Sequence, residues 1–338
     1  MQVFVWINQY KRILNFLFKI LVTVLLSWAL YQQLAGRIDA QALWQTLKNL
    51  LYQPSVWYLV PVIVLMPINW FLEALKWRVF IPKDKQLPLP AAMAAIFSGV
   101  TFSLFTPNRT GDYLGRILLV KAEQNWPIFS ATLAGNLCQL CVLLLGGWAG
   151  LLYYAQYVLE VSWQDYNVFL ILAMLGTIIV VFSLINIQRL LTWLMERPFL
   201  EKFKDSLGKY LDLFRSYSRL ILWKGLFWAG LRYLVYSLQY LLMLYFAGIE
   251  VPYLIGLAGI ATLFFVQSSV PLPPALGLLA RGEIALVIWA PFSAEPLRIL
   301  AASFGLFIIN LTIPALLGLV AILRVNVLKS LGYEKTKY

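Results

Sequence analysis

Apolar residues run through this chain in long blocks separated by short polar, mostly basic segments. Six blocks, 13–34, 57–80, 129–157, 168–187, 223–246 and 297–323, reach the roughly 20 residues an α-helix needs to cross a bilayer. Two others break off midway. The first runs from Pro88 to Pro107 and continues as Asn108-Arg109-Thr110-Gly111-Asp112-Tyr113-Leu114-Gly115-Arg116. The second runs from Pro252 to Pro271 and continues as Leu272-Pro273-Pro274-Ala275-Leu276-Gly277, then Arg281-Gly282-Glu283. Each is too short before its break to span as an ordinary helix, and each carries Pro, Gly and charge to membrane depth. Interruptions paired in this way between two halves of a chain point to a transport site. The pattern predicts an all-α polytopic membrane protein with about six full spans and two re-entrant broken helices.

Composition agrees and narrows the partners. With 61% hydrophobic and 12% charged residues and a mean hydropathy of +0.77, the 338-residue chain is too apolar for a water-soluble core. The net charge of +12 sits in the loops, where anionic headgroups rather than nucleic acid are the expected partner. The chain has no histidine, which excludes His-based relays, triads and metal sites. Cys138 and Cys141 form a C-x-x-C inside an apolar run and read as packing residues at one-turn spacing. Lys11 and Arg12 precede the first apolar block without a convincing cleavage site, so that block reads as an uncleaved span.

The basic residues also give an orientation. The segment 188–224 carries Arg189, Arg197, Lys202, Lys204, Lys209, Arg215, Arg219 and Lys224, whereas 158–166 has only Glu160 and Asp165. The positive-inside rule places the first in the cytoplasm, and both termini with it. The plasma (inner) membrane is the expected location. In that topology the two broken elements enter from opposite faces, so the halves, about 57–157 and 223–324, read as an inverted repeat within a single domain, 1–338. Pro107-x-x-x-Gly111 is echoed by Pro273-x-x-x-Gly277. The segment 188–222, with its alternation of charged and apolar residues, reads as a cytoplasmic amphipathic loop on the inner leaflet.

Irregular backbone at membrane depth survives only where protein or a water-filled cavity satisfies it, so both breaks are expected to face a shared polar cavity. Its candidate substrate-binding residues are Pro107, Arg109, Gly111, Asp112 and Arg116 from the first break and Gly277, Arg281 and Glu283 from the second. Arginine presents a planar, permanently charged fork to phosphate oxygens, and the glycines let backbone or ligand come close. A simpler reading pairs Arg109 with Asp112, and Arg281 with Glu283, as mutual neutralisation. Glu73 and Arg232 are further candidates for the cavity wall. Glu73 with Lys76, one turn apart near a helix end, otherwise reads as an ion pair snorkelling to the interface, as does Lys19. No catalytic residue, metal ligand or cofactor site is assigned.

Asn69-Trp70-Phe71-Leu72-Glu73-Ala74-Leu75-Lys76-Trp77-Arg78, then Pro107-Asn108-Arg109-Thr110-Gly111-Asp112, then Pro274-Ala275-Leu276-Gly277 with Arg281-Gly282-Glu283, together resemble the flippase-like transmembrane domain of the lysylphosphatidylglycerol synthase family. The likeness spans roughly 10–325. Asp112 stands where the family typically has Glu, Pro274-Ala275 where it has paired glycines, and Gly282 separates Arg281 from Glu283. The resemblance implies movement of a phospholipid or lipid-linked headgroup between leaflets. It implies no aminoacyl transfer, because no soluble catalytic domain precedes Tyr338, and the chain is expected not to be an enzyme. Two other readings stay open: a non-transporting partner of a lipid- or polysaccharide-building enzyme, and a membrane-embedded transferase using Asp112, Glu283 or Glu73 as base. A homo-oligomer or a biosynthetic enzyme completes the expected partners.

Overall fold

A computed structural model of the chain describes residues 13, 15–25, 27–28, 31, 40–106, 110–186, 189, 192–193, 217–269 and 277–325. Within them the regular structure is helical: α1 (Asn15–Leu25), α2 (Ala40–Leu51), α3 (Leu59–Phe80), α4 (Leu89–Ser103), α5 (Gly111–Ile117), α6 (Asn125–Tyr157), α7 (Trp163–Ile185), α8 (Arg219–Phe246), α9 (Tyr253–Ser269), α10 (Gly277–Trp289), α11 (Pro296–Phe307) and α12 (Ile313–Leu323). Three helical runs among the described residues, Pro54–Phe80, Asn125–Tyr157 and Pro296–Leu323, are long and apolar enough to cross a bilayer. The last is interrupted by a π-helical turn, Ile308–Thr312, that joins α11 to α12.

Both interrupted stretches are helices that stop short: α4 has 15 residues and α9 has 17. Carbonyls at such ends need partners where water is absent, and neighbouring hydroxyls supply them. Ser103 donates to the Val100 carbonyl at 2.8 Å and Thr106 to that of Phe102 at 2.9 Å. Thr106 then accepts from the Gly111 amide at 2.7 Å, which closes the turn into α5. At the end of α9, Ser268 and Ser269 donate to the Phe265 carbonyl at 2.8 and 2.9 Å.

Inside a bilayer, helices associate by close packing rather than by escape from water, and small residues mark the closest approaches. α5 folds back along α4. The Cα of Gly115 lies against the Ser98 carbonyl, and Gly99 lies against Asp112, so a methyl at either position meets occupied space. α12 also lies along α4, with Gly318 against the carbonyl of Phe97 and the hydroxyl of Thr101. α9 lies along α6, with Gly150 against the Ala258 carbonyl and the Thr262 amide. α3 and α8 run together between these pairs. Two large cores result, one gathering Trp70, Trp77, Phe80, Ile96 and Phe304, the other Tyr240, Leu244, Leu263, Trp289 and Leu306, with a small third cluster of Val22, Phe102, Leu118 and Ile322. Apolar side chains such as Ile63, Leu175, Ile179, Phe227 and Leu234 face outward, as lipid-facing positions do.

α3, α6, α8 and the run Pro296–Leu323 begin and end within a few residues of the expected blocks 57–80, 129–157, 223–246 and 297–323. The amphipathic helix α2 was not anticipated. Leu43, Leu47 and Leu50 pack it against the second core, and Lys48 lies 5.3 Å from the Trp44 ring centre. Most of the expected amphipathic loop, 188–222, lies outside the described residues, as do residues 107–109 and 270–276 at the two breaks.

Candidate functional site

Three polar residues of α3, Asn69, Glu73 and Lys76, lie on one stripe at helical i, i+4, i+7 spacing, and all three are buried. Glu73 and Lys76 are 3% and 1% exposed. This corrects the expectation of a snorkelling pair: an ammonium reaching the interface keeps its head in water, and Lys76 is enclosed instead. Its amine sits 2.6 Å from Glu73 Oε2 and donates to Gln139 Oε1 of α6 at 3.3 Å.

Two further cations converge on the same carboxylate. Arg116 of α5 donates from Nη2 to Glu73 Oε1 at 3.0 Å, and from Nε and Nη2 to Asp112 Oδ1 and Oδ2 at 2.8 and 2.9 Å. Arg232 of α8 places Nη1 3.2 Å from Glu73 Oε2 and donates from it to Gln139 Oε1, also at 3.2 Å. Each guanidinium rests on an indole: Arg116 lies 5.1 Å from the Trp77 ring centre and Arg232 5.3 Å from that of Trp70. Trp77 is itself held by Nε1–H donation to Thr132 at 3.0 Å. Charges leave water at a cost of several kcal/mol each, and this cluster compensates that by giving Glu73 three cationic neighbours.

Among the described residues the centre gathers three cations and two carboxylates. The side chains also differ in access: Lys76 and Arg116 are 1% and 4% exposed, Arg232 is 18%.

Of the residues singled out in the sequence, Asp112, Arg116, Glu73 and Arg232 are brought together. Arg116 takes both oxygens of Asp112 in a bidentate grip, while Arg109, the partner expected for Asp112, lies outside the described residues. Gly111 serves the hairpin itself, packed against the backbone of Phe102. Arg109 and Pro107 lie outside the described residues, and Gly277 begins α10. Arg281 is half-buried with its guanidinium 5.8 Å from the Phe307 ring centre, at the threshold of the π turn. Glu283 is exposed. Lys19 donates to the Leu323 carbonyl at 2.6 Å, tying α1 to the end of α12.

Sequence reading missed Gln139 and Asn310. Asn310, at the centre of the π turn and 1% exposed, accepts from Asn69 Nδ2 at 3.3 Å. The signal available was an amide in an otherwise apolar span, where it needs a partner on a facing helix.

Broken helices packed among full-length apolar ones, around a buried ionic centre, define a polytopic α-helical membrane protein. Across residues 16–328 the chain matches the family described as the lysylphosphatidylglycerol synthase TM region, and it belongs to that family. No curated protein and no solved structure matches it.

Proposed function

We propose that this protein is a transporter rather than an enzyme, moving a phospholipid or lipid-linked headgroup between leaflets through a polar groove where two inverted halves meet. It resides in the plasma membrane with both termini in the cytoplasm. The observation that carries the reading is an exchange of partners. The broken helix of the first half, α4, packs on α12 of the second, and α9 packs on α6 of the first. The contacts correspond in kind. Gly318 meets Phe97 and Thr101 where Gly150 meets Ala258 and Thr262. Each threonine donates to the carbonyl four residues back, Thr101 to Phe97 and Thr262 to Ala258. Asn69–Asn310 joins α3 to the π turn much as Arg232–Gln139 joins α8 to α6. Trp70 meets Phe97 edge-on at 5.8 Å, and Tyr233 meets Phe264 likewise at 6.2 Å. Halves built this way can rock about a fixed site, which is the mechanical requirement of alternating access.

Family membership supports a lipid-related role in the membrane. In this reading the headgroup enters between the halves, Arg116 and Arg232 set the positive potential of the groove, and Arg109 with Arg281 contacts the phosphate from the two breaks. Acyl chains stay in lipid. The test is leaflet exchange of labelled phospholipids in vesicles containing the purified protein, against protein-free vesicles. Exchange is expected to accelerate. Arg109→Ala is expected to lose roughly ten- to a hundredfold, the equivalent of a charged hydrogen bond, and Arg109→Lys to recover part, having lost the fork. Vesicles that exchange no phospholipid class faster than controls overturn the proposal.

A further inference from the structure

We infer that the π-helical turn Ile308–Thr312 is a hinge about which α11, together with α10 beyond the second break, swings relative to α12, and that Asn69 and Asn310 form its pin. This deepens the translocation reading and rests on it for what the motion accomplishes.

The sequence places the weak points. Proline has no N–H to donate, and its ring crowds the carbonyl four residues back. Pro314 does this to Asn310 and Pro67 does it to Ile63, so α3 and the α11–α12 run are each weakened close to where Asn69 meets Asn310. The run widens there into the π turn, with the Ile313 amide donating to the Ile308 carbonyl. On α3 a neighbour helps instead: Gln239 of α8 donates from Nε2 to the Val62 carbonyl at 2.9 Å. Sharp bends in helices trace to such prolines and π turns, and π turns recur at functional sites.

Packing shows what the turn joins. α11 packs on α2, α8 and α10, whereas α12 lies along α4, where Thr101 donates to the Ala315 carbonyl at 2.7 Å. One side of the turn therefore belongs with the second break and the other side with the first.

The polar groups at the turn are incompletely used. Thr101, Thr132 and Thr262 each donate to the carbonyl four residues back, but the buried Thr312 hydroxyl has no partner among the described residues. Asn69 and Asn310, each 1% exposed, share one long bond of 3.3 Å, and Asn69 Oδ1 and Asn310 Nδ2 lack partners among the described residues. Those two atoms are an acceptor and a donor. Facing amides with that complement form a second bond once they come into register, so the pair has a one-bond arrangement, the one present, and a two-bond arrangement reached when the turn rotates. Leaving buried polar atoms unanswered is costly, and that cost draws the hinge toward the second arrangement.

A related crossing elsewhere is built differently. Tyr233 follows Asn69, and Asn310 follows Gly146, at the spacing that separates Pro88 from Pro252, and the Tyr233 ring lies against Gly146. The same spacing relates Lys76–Gln139 to Tyr240–Ser303, bonded at 3.3 and 2.6 Å. Here α8 contains no proline and α6 has one only in its first turn, so two unbroken helices touch closely. The crossing with prolines on both helices is the one equipped to bend.

Distances across the turn, measured apart from transport, test this. In protein with Cys138 and Cys141 replaced by alanine, spin labels on Val287→Cys of α10 and Leu316→Cys of α12 span the hinge, both positions being exposed. Labels on Leu114→Cys of α5 and Leu316→Cys do not span it, since α5 and α12 both lie along α4. In lipid nanodiscs the spanning pair is expected to show two distances and the control pair one. Pro314→Ala, which restores the missing amide, is expected to leave the spanning pair with one. The double variant Asn69→Leu with Asn310→Leu removes both amides and leaves neither unpaired, so it is expected to fold and to change the ratio of the two populations by roughly two- to tenfold, the worth of one hydrogen bond. A single distance for the spanning pair without these substitutions, as narrow as the control, overturns the hinge. Two distances persisting in a folded Pro314→Ala protein overturn the assignment to this turn, and an unchanged ratio in the double variant overturns the pin. Leaflet exchange is scored separately: vesicles that exchange no lipid remove transport and leave the hinge, whereas a single distance with exchange intact removes the hinge alone.

Discussion

At the end of α4, Ser103 and Thr106 turn their hydroxyls onto carbonyls of the preceding turn, and at the end of α9 Ser268 and Ser269 do the same. The helices beyond the two breaks differ. After the first, α5 delivers Asp112 and Arg116 into the ionic centre and lies so close to α4 that Gly99 and Gly115 have no room for a methyl. After the second, α10 packs on α9 and α11, Arg281 rests on an aromatic ring, and Glu283 faces outward. The backbone solution is shared and the electrostatic one is not. Among the described residues, one broken helix is fixed by buried ion pairs to α3 and, through Glu73, to α8, while the other is held by apolar packing. Under the transport reading proposed above, that asymmetry assigns the first break to the frame and leaves the second to move against it.

The sharpest way to break the comparison is at its hub. Glu73→Gln leaves Lys76, Arg116 and Arg232 facing a single carboxylate, Asp112. Removing one partner from a buried ionic network destabilises by about 3–5 kcal/mol, so the melting midpoint in detergent is expected to fall steeply. The double variant Glu73→Gln with Lys76→Gln deletes a charge of each sign and is expected to recover part of that loss, a coupling read from the double-mutant cycle. Glu283→Gln is expected to leave the midpoint where it was. Comparable losses at Glu73 and Glu283 would show that the two breaks carry charge in the same way.

The hub also shows where sequence reading stopped. The Pro-bounded breaks, the helix boundaries and the residues Asp112, Arg116, Glu73 and Arg232 were legible, because proline placement, apolar length and intramembrane charge are local signals. Their convergence was not. Glu73 with Lys76 looks like an interfacial pair as long as α3 is considered alone. What buries it is Arg116 from a hairpin 43 residues on and Arg232 from α8, an arrangement fixed by helix packing rather than by any nearby pattern. The grip of Arg116 on Asp112 was hidden for a related reason: α5 sets Asp112 and Arg116 on one face at i, i+4, and spacing counted along an extended strand of letters hides that. The helix α2 escaped because a search for spans passes over 12 residues.

A second prediction sharpens the shared half of the comparison. Gly318 and Gly150 let α12 and α6 touch the backbones of α4 and α9. Forcing a branched side chain into a well-packed contact costs about 1–3 kcal/mol. Gly318→Val and Gly150→Val are each expected to lower stability within that range and by similar amounts in thermal unfolding. If one substitution is neutral, the crossings are not equivalent, and the exchange of partners loses its support as a repeat.

The smallest expected effect on stability is at Arg281, and it separates holding from function. The contact found for its guanidinium among the described residues is the Phe307 ring, 5.8 Å away, and a cation over an aromatic face contributes about 0.5–1 kcal/mol where water still reaches it. Arg281→Gln is therefore expected to shift the melting midpoint far less than Glu73→Gln. If the second break is the moving part and Arg281 meets the headgroup there, leaflet exchange in vesicles falls roughly tenfold or more in the same variant, since a charged hydrogen bond to phosphate is worth about 1.5–3 kcal/mol. Arg281→Lys distinguishes the two roles further: it keeps a cation for the ring but not the fork for phosphate, so stability is restored while exchange recovers only in part. A variant that melts like the wild type and exchanges lipid like the wild type removes Arg281 from the site. It would leave the ionic centre on α3, α5 and α8 as the place where the protein meets its ligand.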